Sequence, residues 1–192
     1  MNTTTIPYEV YVADSTIEMA AQYVGELIGD PHMYEFVSGE EKPLSITVSQ
    51  LETDTPIPFS LIVVRENNQN AGVVEVGRLR SKDVVWAKVN DSVLGLNLLL
   101  SQTFTTTIGS GMYRIEVSTP ENFGRYMLTI GTKPVSPGYF ATLGDIRLIQ
   151  KAFGKSIFAM FASSYVYYPL GCLVLSLLLF VTWKYRKRLS HA

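Results

Sequence analysis

The chain has 192 residues, 47% of them hydrophobic and 17% charged, a length that suits one domain and an additional segment. Its 16 Lys and Arg residues against 17 Asp and Glu residues give a formal net charge of -1, which lacks the basic excess that neutralises a nucleic-acid backbone, so we expect no nucleic-acid partner. The single cysteine, Cys172, excludes an intrachain disulfide.

Residues 6–130 have the pattern of short strands separated by turns. The period of two is clearest at Leu44, Ile46 and Val48, which share one face of a strand while the intervening Ser and Thr residues share the other. Segments of this kind recur roughly every ten residues. We therefore predict a mainly β domain over residues 1–131, an antiparallel two-sheet β-sandwich of jelly-roll-like type.

Three local predictions belong to this region. We expect the strands at 33–37 and 44–51 to pair across a turn, and the strands on either side of 66–72 to form a hairpin with a long loop. Residues 15–27 have apolar residues on one side of a possible helix, but Gly25 weakens it. A helix and a strand with a flanking loop remain alternatives there.

The composition changes after Ile130. Two prolines and two glycines in "GTKPVSPG" predict a linker over 132–138. Apolar residues at steps of three and four then predict an amphipathic juxtamembrane helix over 139–163. Its apolar face consists of Leu143, Ile146, Ile149, Phe153, Ile157 and Met160. Such a helix either lies in the lipid headgroup plane or docks on a partner helix, or else it packs under the sandwich or extends the anchor.

Residues 165–183 carry no charge. As a helix they would measure roughly 28 Å, close to the ~30 Å hydrocarbon thickness of a bilayer. We therefore predict a single transmembrane helix over 164–184. The residues expected to anchor it in lipid, with aromatic rings at the two headgroup levels, are Tyr165, Tyr168, Leu173, Leu175, Leu178, Phe180 and Trp183.

Four cations at the end of the predicted span indicate its orientation: Lys184, Arg186, Lys187 and Arg188. Positive residues beside a span stay on the cytoplasmic side, so we expect a cytoplasmic tail over 185–192 and an extracytoplasmic domain, periplasmic or extracellular. Residues 1–30 show no basic and apolar regions of signal-peptide type. Two arrangements therefore remain open: a signal that has been removed, or a tail-anchored protein with its domain in the cytosol.

Residue types that carry chemistry are sparse. His32 and His191 lie at opposite ends of the predicted architecture, and no His and Cys cluster has the spacing of metal ligands. Ser110 departs from the Gly-x-Ser-x-Gly pattern of a nucleophile, and its flanking glycines fit a hairpin. Acidic residues between 30 and 54 fit either a Ca²⁺ site or a solvated surface. We expect no enzyme activity, no catalytic residues, no metal site and no cofactor.

The last two predicted strands carry a family resemblance. The pattern consists of Gly111, Tyr113, Ile115, Val117, Gly124, Tyr126, Leu128 and Ile130. It resembles the end of the pre-peptidase C-terminal type of β-sandwich, and the segment that begins "YVGELIGDPHMYEF" looks like the opening of the same module. The resemblance covers residues from about 22 to 131. The whole chain is similar to small bacterial membrane-tethered proteins that join such a sandwich to one C-terminal span, which implies an extracytoplasmic accessory or binding module.

Together these features predict a single-pass membrane protein that acts by binding. We interpret it as an accessory or scaffolding subunit of a membrane protein complex, with membrane lipid and membrane-protein subunits as its partners. An extracytoplasmic adhesion or ligand-binding module and a tail-anchored cytosolic adaptor are the alternatives.

Overall fold

The computed structural model describes residues 10–13, 17–67 and 72–189. Within these residues eleven strands precede two α-helices. The strands are β1 (Val10–Val12), β2 (Ala21–Ile28), β3 (His32–Ser38), β4 (Lys42–Leu51), β5 (Ser60–Asn67), β6 (Gly72–Leu79), β7 (Ala87–Asp91), β8 (Leu96–Leu100), β9 (Phe104–Ile108), β10 (Gly111–Ser118) and β11 (Phe123–Ile130). The helices are α1 (Tyr139–Ala152) and α2 (Ser164–Leu189).

The strands form two sheets that share one core. The first sheet has the order β1-β3-β10-β5-β6, and the second has the order β2-β11-β4-β8-β7, with β9 paired to the beginning of β4. Neighbouring strands are antiparallel except at one edge, where β1 pairs in parallel with β3. The predicted two-sheet β-sandwich, followed by helices, is confirmed, with this parallel edge pair as a difference.

The main core lies between the sheets and follows from the alternation of side chains along each strand. Leu44, Ile46 and Val48 of the second sheet are buried, as predicted from their spacing. They belong to the same cluster as Val63 and Ile115 of the first sheet. The apolar faces of the two sheets therefore pack against each other and form the core.

The predicted pairing of the strands at 33–37 and 44–51 is wrong. Both strands exist, as β3 and β4, but β3 pairs with β10 while β4 pairs with β11. Phe36 and Ile46 both point into the core, so the two strands meet across it rather than side by side. The turn between them carries the chain from one sheet to the other.

The helix alternative for 15–27 is also wrong. Residues 21–28 form β2, which pairs along its whole length with β11, while residues 14–16 lie outside the described residues. Backbone pairing with a neighbouring strand outweighs a weak local preference for helix. The hairpin of β5 and β6 is confirmed, and its loop at 68–71 lies outside the described residues.

Helix α1 forms a third layer on the outer face of the second sheet. Ile146 and Ile149 of α1, with Phe153 just after it, share a buried cluster with Leu96 and Met127 of that sheet. Met127 alternates with Tyr126 and Leu128, which belong to the main core, so the strand has an apolar residue on both faces. A strand buried on both faces requires a cover, and α1 provides it.

The segment expected as one helix over 139–163 is interrupted. Gly154 has a φ of 73°, and the amides of Gly154 and Lys155 donate to the carbonyls of Lys151 and Gln150 at 2.9 and 2.8 Å. This is a Schellman ending, which stops α1. A 3-10 helix at Ile157–Ala162 follows, and then α2 begins. The division of the chain into sandwich, linker, juxtamembrane segment, span and tail stays a prediction.

Candidate functional site

Helix α2 has the length and composition of a membrane span. The segment Ser164–Arg186 contains 23 residues with a mean hydropathy of 1.9, and none of its most apolar window is buried. At 1.5 Å per residue it measures about 34 Å, enough to cross a bilayer. It is the one such helix within the described ranges.

The predicted anchor residues lie on the surface of α2, with one exception. Their exposed fractions run from 54% to 68% for Tyr168, Leu173, Leu175, Leu178, Phe180 and Trp183. A continuous apolar surface of this extent does not suit a soluble monomer, and it suits lipid or a partner helix. The role of each residue as an anchor stays a prediction.

Tyr165, the exception, is half-buried against α1. Its ring stacks on that of Tyr139 with the centroids 5.8 Å apart, and the Tyr139 hydroxyl donates to the Tyr165 carbonyl at 2.8 Å. At the other end of α2, Lys184 and Arg186 are exposed, while the side chains of Lys187 and Arg188 lie outside the described residues. The start of α2 therefore belongs to the folded domain, and its end does not.

Two hydrogen bonds join the start of α2 to the turn between β7 and β8, at residues 92–95. The hydroxyl of Ser163, which is buried, donates to the carbonyl of Val93 at 2.5 Å. The amide of Ser164 donates to the carbonyl of Ser92 at 2.8 Å. The amides at the start of a helix lack partners within it, so bonds to a second element fix where the helix begins.

Gly95 allows this contact because it has no side chain. It adopts a φ of 64°, and a Cβ added there would lie 2.6 Å from the carbonyl carbon of Ala162 and 2.8 Å from the nitrogen of Ser163. Both neighbours are backbone atoms, which cannot rotate away. The close approach of the two backbones therefore requires glycine at this position.

Gln150 connects three elements at the same place. It lies on the buried face of α1, and its side-chain amide donates to the carbonyl of Leu94 at 2.7 Å and to that of Ala159 at 3.1 Å. Arg147 donates to the carbonyls of Lys155 and Ser156, both at 3.2 Å. We call the junction formed by Gly95, Gln150, Ser163 and Ser164 the clamp.

The predicted apolar face of 139–163 is divided by the break after α1. Ile146, Ile149 and Phe153 are buried against the second sheet, and Leu143 and Met160 are half-buried. Ile157 is 58% exposed. For α1, packing under the sandwich is thus the arrangement observed among the alternatives open from the sequence.

Sequence reasoning missed the clamp, although one signal was present. Gln150 lies directly beside Ile149 on the apolar face of α1, and a polar side chain in such a position requires a buried partner. Gly95 and Ser163 have no comparable signal, since their contact joins positions far apart in the chain.

Groups that could carry other chemistry are scattered. Among the residues that the structure describes, no three His, Cys, Asp or Glu side chains lie together as metal ligands. His32 is half-buried at the edge of the core, where its Nδ1 is 2.8 Å from the Tyr126 hydroxyl and burial lowers the pKa of the imidazole. The expectation that the chain has no enzyme activity stays a prediction.

A polar cavity of about 580 Å³ lies beside the clamp. Its lining includes Gly95 and Ala159, and its charged residues are Glu52, Asp54, Lys88 and Lys155. The ammonium group of Lys88 lies 2.6 Å from the carboxylate of Glu52. The cavity therefore offers both signs of charge to a ligand.

No protein-family model matches the chain, and no curated protein is significantly similar to it. Among solved structures the chain is similar to the pre-peptidase C-terminal domain of a collagenase from Bacillus anthracis, with 17% identity and a TM-score of 0.40. The match covers 67% of this chain and 98% of that domain. The matched domain is of the type named in the sequence resemblance. The likeness concerns the fold of the sandwich alone, and no conclusion about function follows from it.

Proposed function

We propose that this chain is a single-pass membrane protein that acts by binding, as an accessory or scaffolding subunit of a membrane protein complex. The observation that supports the proposal is the clamp, in which Ser163 and Ser164 bond directly to the turn between β7 and β8. A sandwich bonded to the base of its own span stays close to the bilayer. Its partners are then proteins that are themselves in or on the membrane.

The span supports the same proposal. The side chains of α2 from Tyr167 to Arg186 are exposed, so its apolar surface can contact lipid and the helices of other subunits. The cations at its end favour a cytoplasmic tail, with the sandwich on the extracytoplasmic side. A tail-anchored adaptor with the opposite orientation is the alternative.

The cavity beside the clamp favours a second candidate function, an extracytoplasmic ligand-binding module. Glu52, Asp54, Lys88 and Lys155 are all part of its lining, a set of residues suited to a small ligand with groups of both charges. In that case the span would hold a receptor at the surface without requiring partner subunits.

One experiment with two arms tests the proposal. Intact cells that produce the full-length chain with an affinity tag at its C-terminal end are either treated with protease or left untreated, then solubilised in mild detergent for purification through the tag. We expect untreated cells to yield the whole chain with integral membrane subunits in fixed stoichiometry. Protease-treated cells should yield a tagged fragment without the sandwich.

A control chain keeps the clamp but replaces residues 168–182 with an unrelated sequence of Leu and Ala. Loss of the partners from this chain would identify α2 as the contact, and their retention would identify the sandwich. Purification of the native chain alone would contradict the subunit role and favour the ligand-binding module. Complete protection of the sandwich from protease would contradict the orientation and favour the tail-anchored adaptor.

A further inference from the structure

Exposed phenylalanines are concentrated near the start of α2. Of the nine Phe residues in the chain, four are exposed outside α2: Phe123, Phe140, Phe158 and Phe161. Phe140 is 84% exposed and Phe158 is 73% exposed. Large aromatic side chains left in contact with water at neighbouring positions indicate an interaction surface.

Three of these rings lie beside the base of α2. Phe158 and Phe161 belong to the 3-10 helix that ends two residues before α2, and Ile157 next to them is also exposed. Phe140 packs edge-on against Tyr139, whose hydroxyl bonds to the Tyr165 carbonyl. We call Phe140, Ile157, Phe158 and Phe161 the collar.

Phe123 lies at the same end of the second sheet. Strand β4 pairs antiparallel with both β11 and β8, so Phe123 at the start of β11 and Leu96 at the start of β8 are both at the carboxyl end of β4. The turn that holds α2 directly precedes Leu96. The exposed rings of the sandwich and of the collar are therefore at the end of the molecule from which α2 leaves.

The segment that carries the collar has mostly cations among its charged residues, although Glu52 and Asp54 lie beside Lys155 in the cavity. Between residues 139 and 163 the chain has three cations, Arg147, Lys151 and Lys155, against the single carboxylate of Asp145. Lys151 and Lys155 are exposed. Cations beside aromatic and apolar side chains are the combination found where a protein segment lies at the boundary of headgroups and acyl chains.

We propose that the collar inserts into the headgroup region of the same bilayer that α2 spans, and so holds the sandwich in one orientation on the membrane. This inference rests on the proposed membrane anchoring. Phe161 precedes Ser164 by three residues, which at about 2 Å of rise per residue of 3-10 helix is roughly 6 Å, within the headgroup zone when the span begins at Ser164. The continuity of the collar with the span favours lipid over a second copy or a partner helix as its occupant.

The test uses tryptophan fluorescence of the full chain in vesicles of phosphatidylcholine brominated near the headgroup end of the acyl chains. Phe158→Trp and Phe161→Trp are each made together with Trp86→Phe and Trp183→Phe, so that the introduced ring is the one tryptophan of the chain. Val85→Trp in the same background is the matched control. Val85 is also well exposed, at 71%, but it lies before β7, and the turn that holds α2 lies after β7, at the opposite end of that strand. We expect quenching of roughly twofold or more at both collar positions, which lie within reach of bromine, and none above background for Val85→Trp.

The variant Trp86→Phe separates failure of the collar from failure of the anchor, because its single tryptophan, Trp183, reports on the span. If Trp183 is quenched while the collar variants behave like Val85→Trp, the collar proposal is overturned and the anchor stands. Cross-linking of the chain to a second copy through the collar would overturn it in the same way. If Trp183 itself is not quenched, both the anchor and the collar proposal fail.

Discussion

At the scale of single residues, Gly95 decides whether α2 can meet the sandwich. We expect Gly95→Ala to lower the free energy of unfolding by about 1–3 kcal/mol more than Gly29→Ala, because the new methyl group would overlap the backbone of Ala162. Gly29 also has a positive φ, of 92°, but a Cβ there would meet nothing within 4 Å, so its variant measures the conformational cost alone. The measurement is denaturant unfolding of the full chain in detergent.

Equal losses for the two variants would contradict this account of the clamp. They would mean that the segment before α2 moves away from Gly95 without cost. Limited proteolysis of residues 154–163 distinguishes a loosened junction from a generally weakened sandwich, since only the first exposes this segment while the strands stay protected.

At the scale of elements, the side chains of α2 from Tyr167 to Arg186 are exposed, and the proposed anchoring predicts that this part of the helix requires lipid. Leu175 and Leu178 are 58% and 56% exposed. We expect Leu175→Arg or Leu178→Arg to reduce insertion by on the order of 3 kcal/mol, the cost of a cation near the centre of a bilayer on insertion scales. Sedimentation of the protein with membranes after a high-salt wash measures the effect.

Tyr185→Arg is the control for that experiment. It adds the same charge between Lys184 and Arg186, where the cation can reach the headgroups, so membrane association should be unchanged. Sedimentation of Leu175→Arg at the level of the native chain would refute a lipid-embedded α2.

Helix α1 shows the limit of reading an element from its pattern. The spacing of Ile146, Ile149 and Phe153 is the same whether an apolar face rests on lipid or on a sheet. The outward apolar residues of β8 and β11 decide the outcome, since they require a cover. The amphipathic segment could therefore be predicted, but not what it covers.

At the scale of the whole molecule, a partly buried polar network joins the two sheets. His32 of the first sheet lies 2.8 Å from the Tyr126 hydroxyl of the second, and that hydroxyl shares a hydrogen bond of 2.8 Å with Tyr34. Burial lowers the pKa of His32 below its ordinary value of 6.5. The folded protein therefore binds a proton at this imidazole less tightly than the unfolded chain does.

This difference predicts how stability depends on pH. Well above pH 6.5 the imidazole is neutral in both states, so it does not lower the stability of the folded protein. As the pH falls below that value the unfolded chain gains the proton first, so we expect the free energy of unfolding to decrease. Denaturant unfolding between about pH 5 and pH 8, above the range of ordinary carboxyl groups, measures the slope.

His32→Gln is the comparison chain, because it keeps a polar side chain but does not titrate. Its stability should change less across the same range than that of the native chain. Parallel profiles for the two chains would show that some other group causes the dependence.

Features that depend on consecutive residues could be predicted from the sequence, and features that depend on contacts between distant residues could not. The buried face of β4 and the apolar length of α2 are properties of consecutive residues, and both could be predicted. The assignment of β3 and β4 to different sheets could not, because adjacent strands with apolar faces can pair side by side or meet across a core. The break at Gly154 was missed for a related reason, since a glycine within an apolar repeat can either continue a helix or end it.

The sequence by itself determined that the chain is a β-sandwich followed by one helix able to cross a membrane, because the hydropathy and the periodicity of a segment depend only on its own residues. Only the tertiary structure decided that this helix starts against the sandwich. Ser163 and Gly95 are far apart in the chain, and their contact depends on the pairing of the strands in the second sheet and on the packing of α1 against it. A hydrogen bond and a close backbone approach between distant residues depend on the arrangement of all the elements between them.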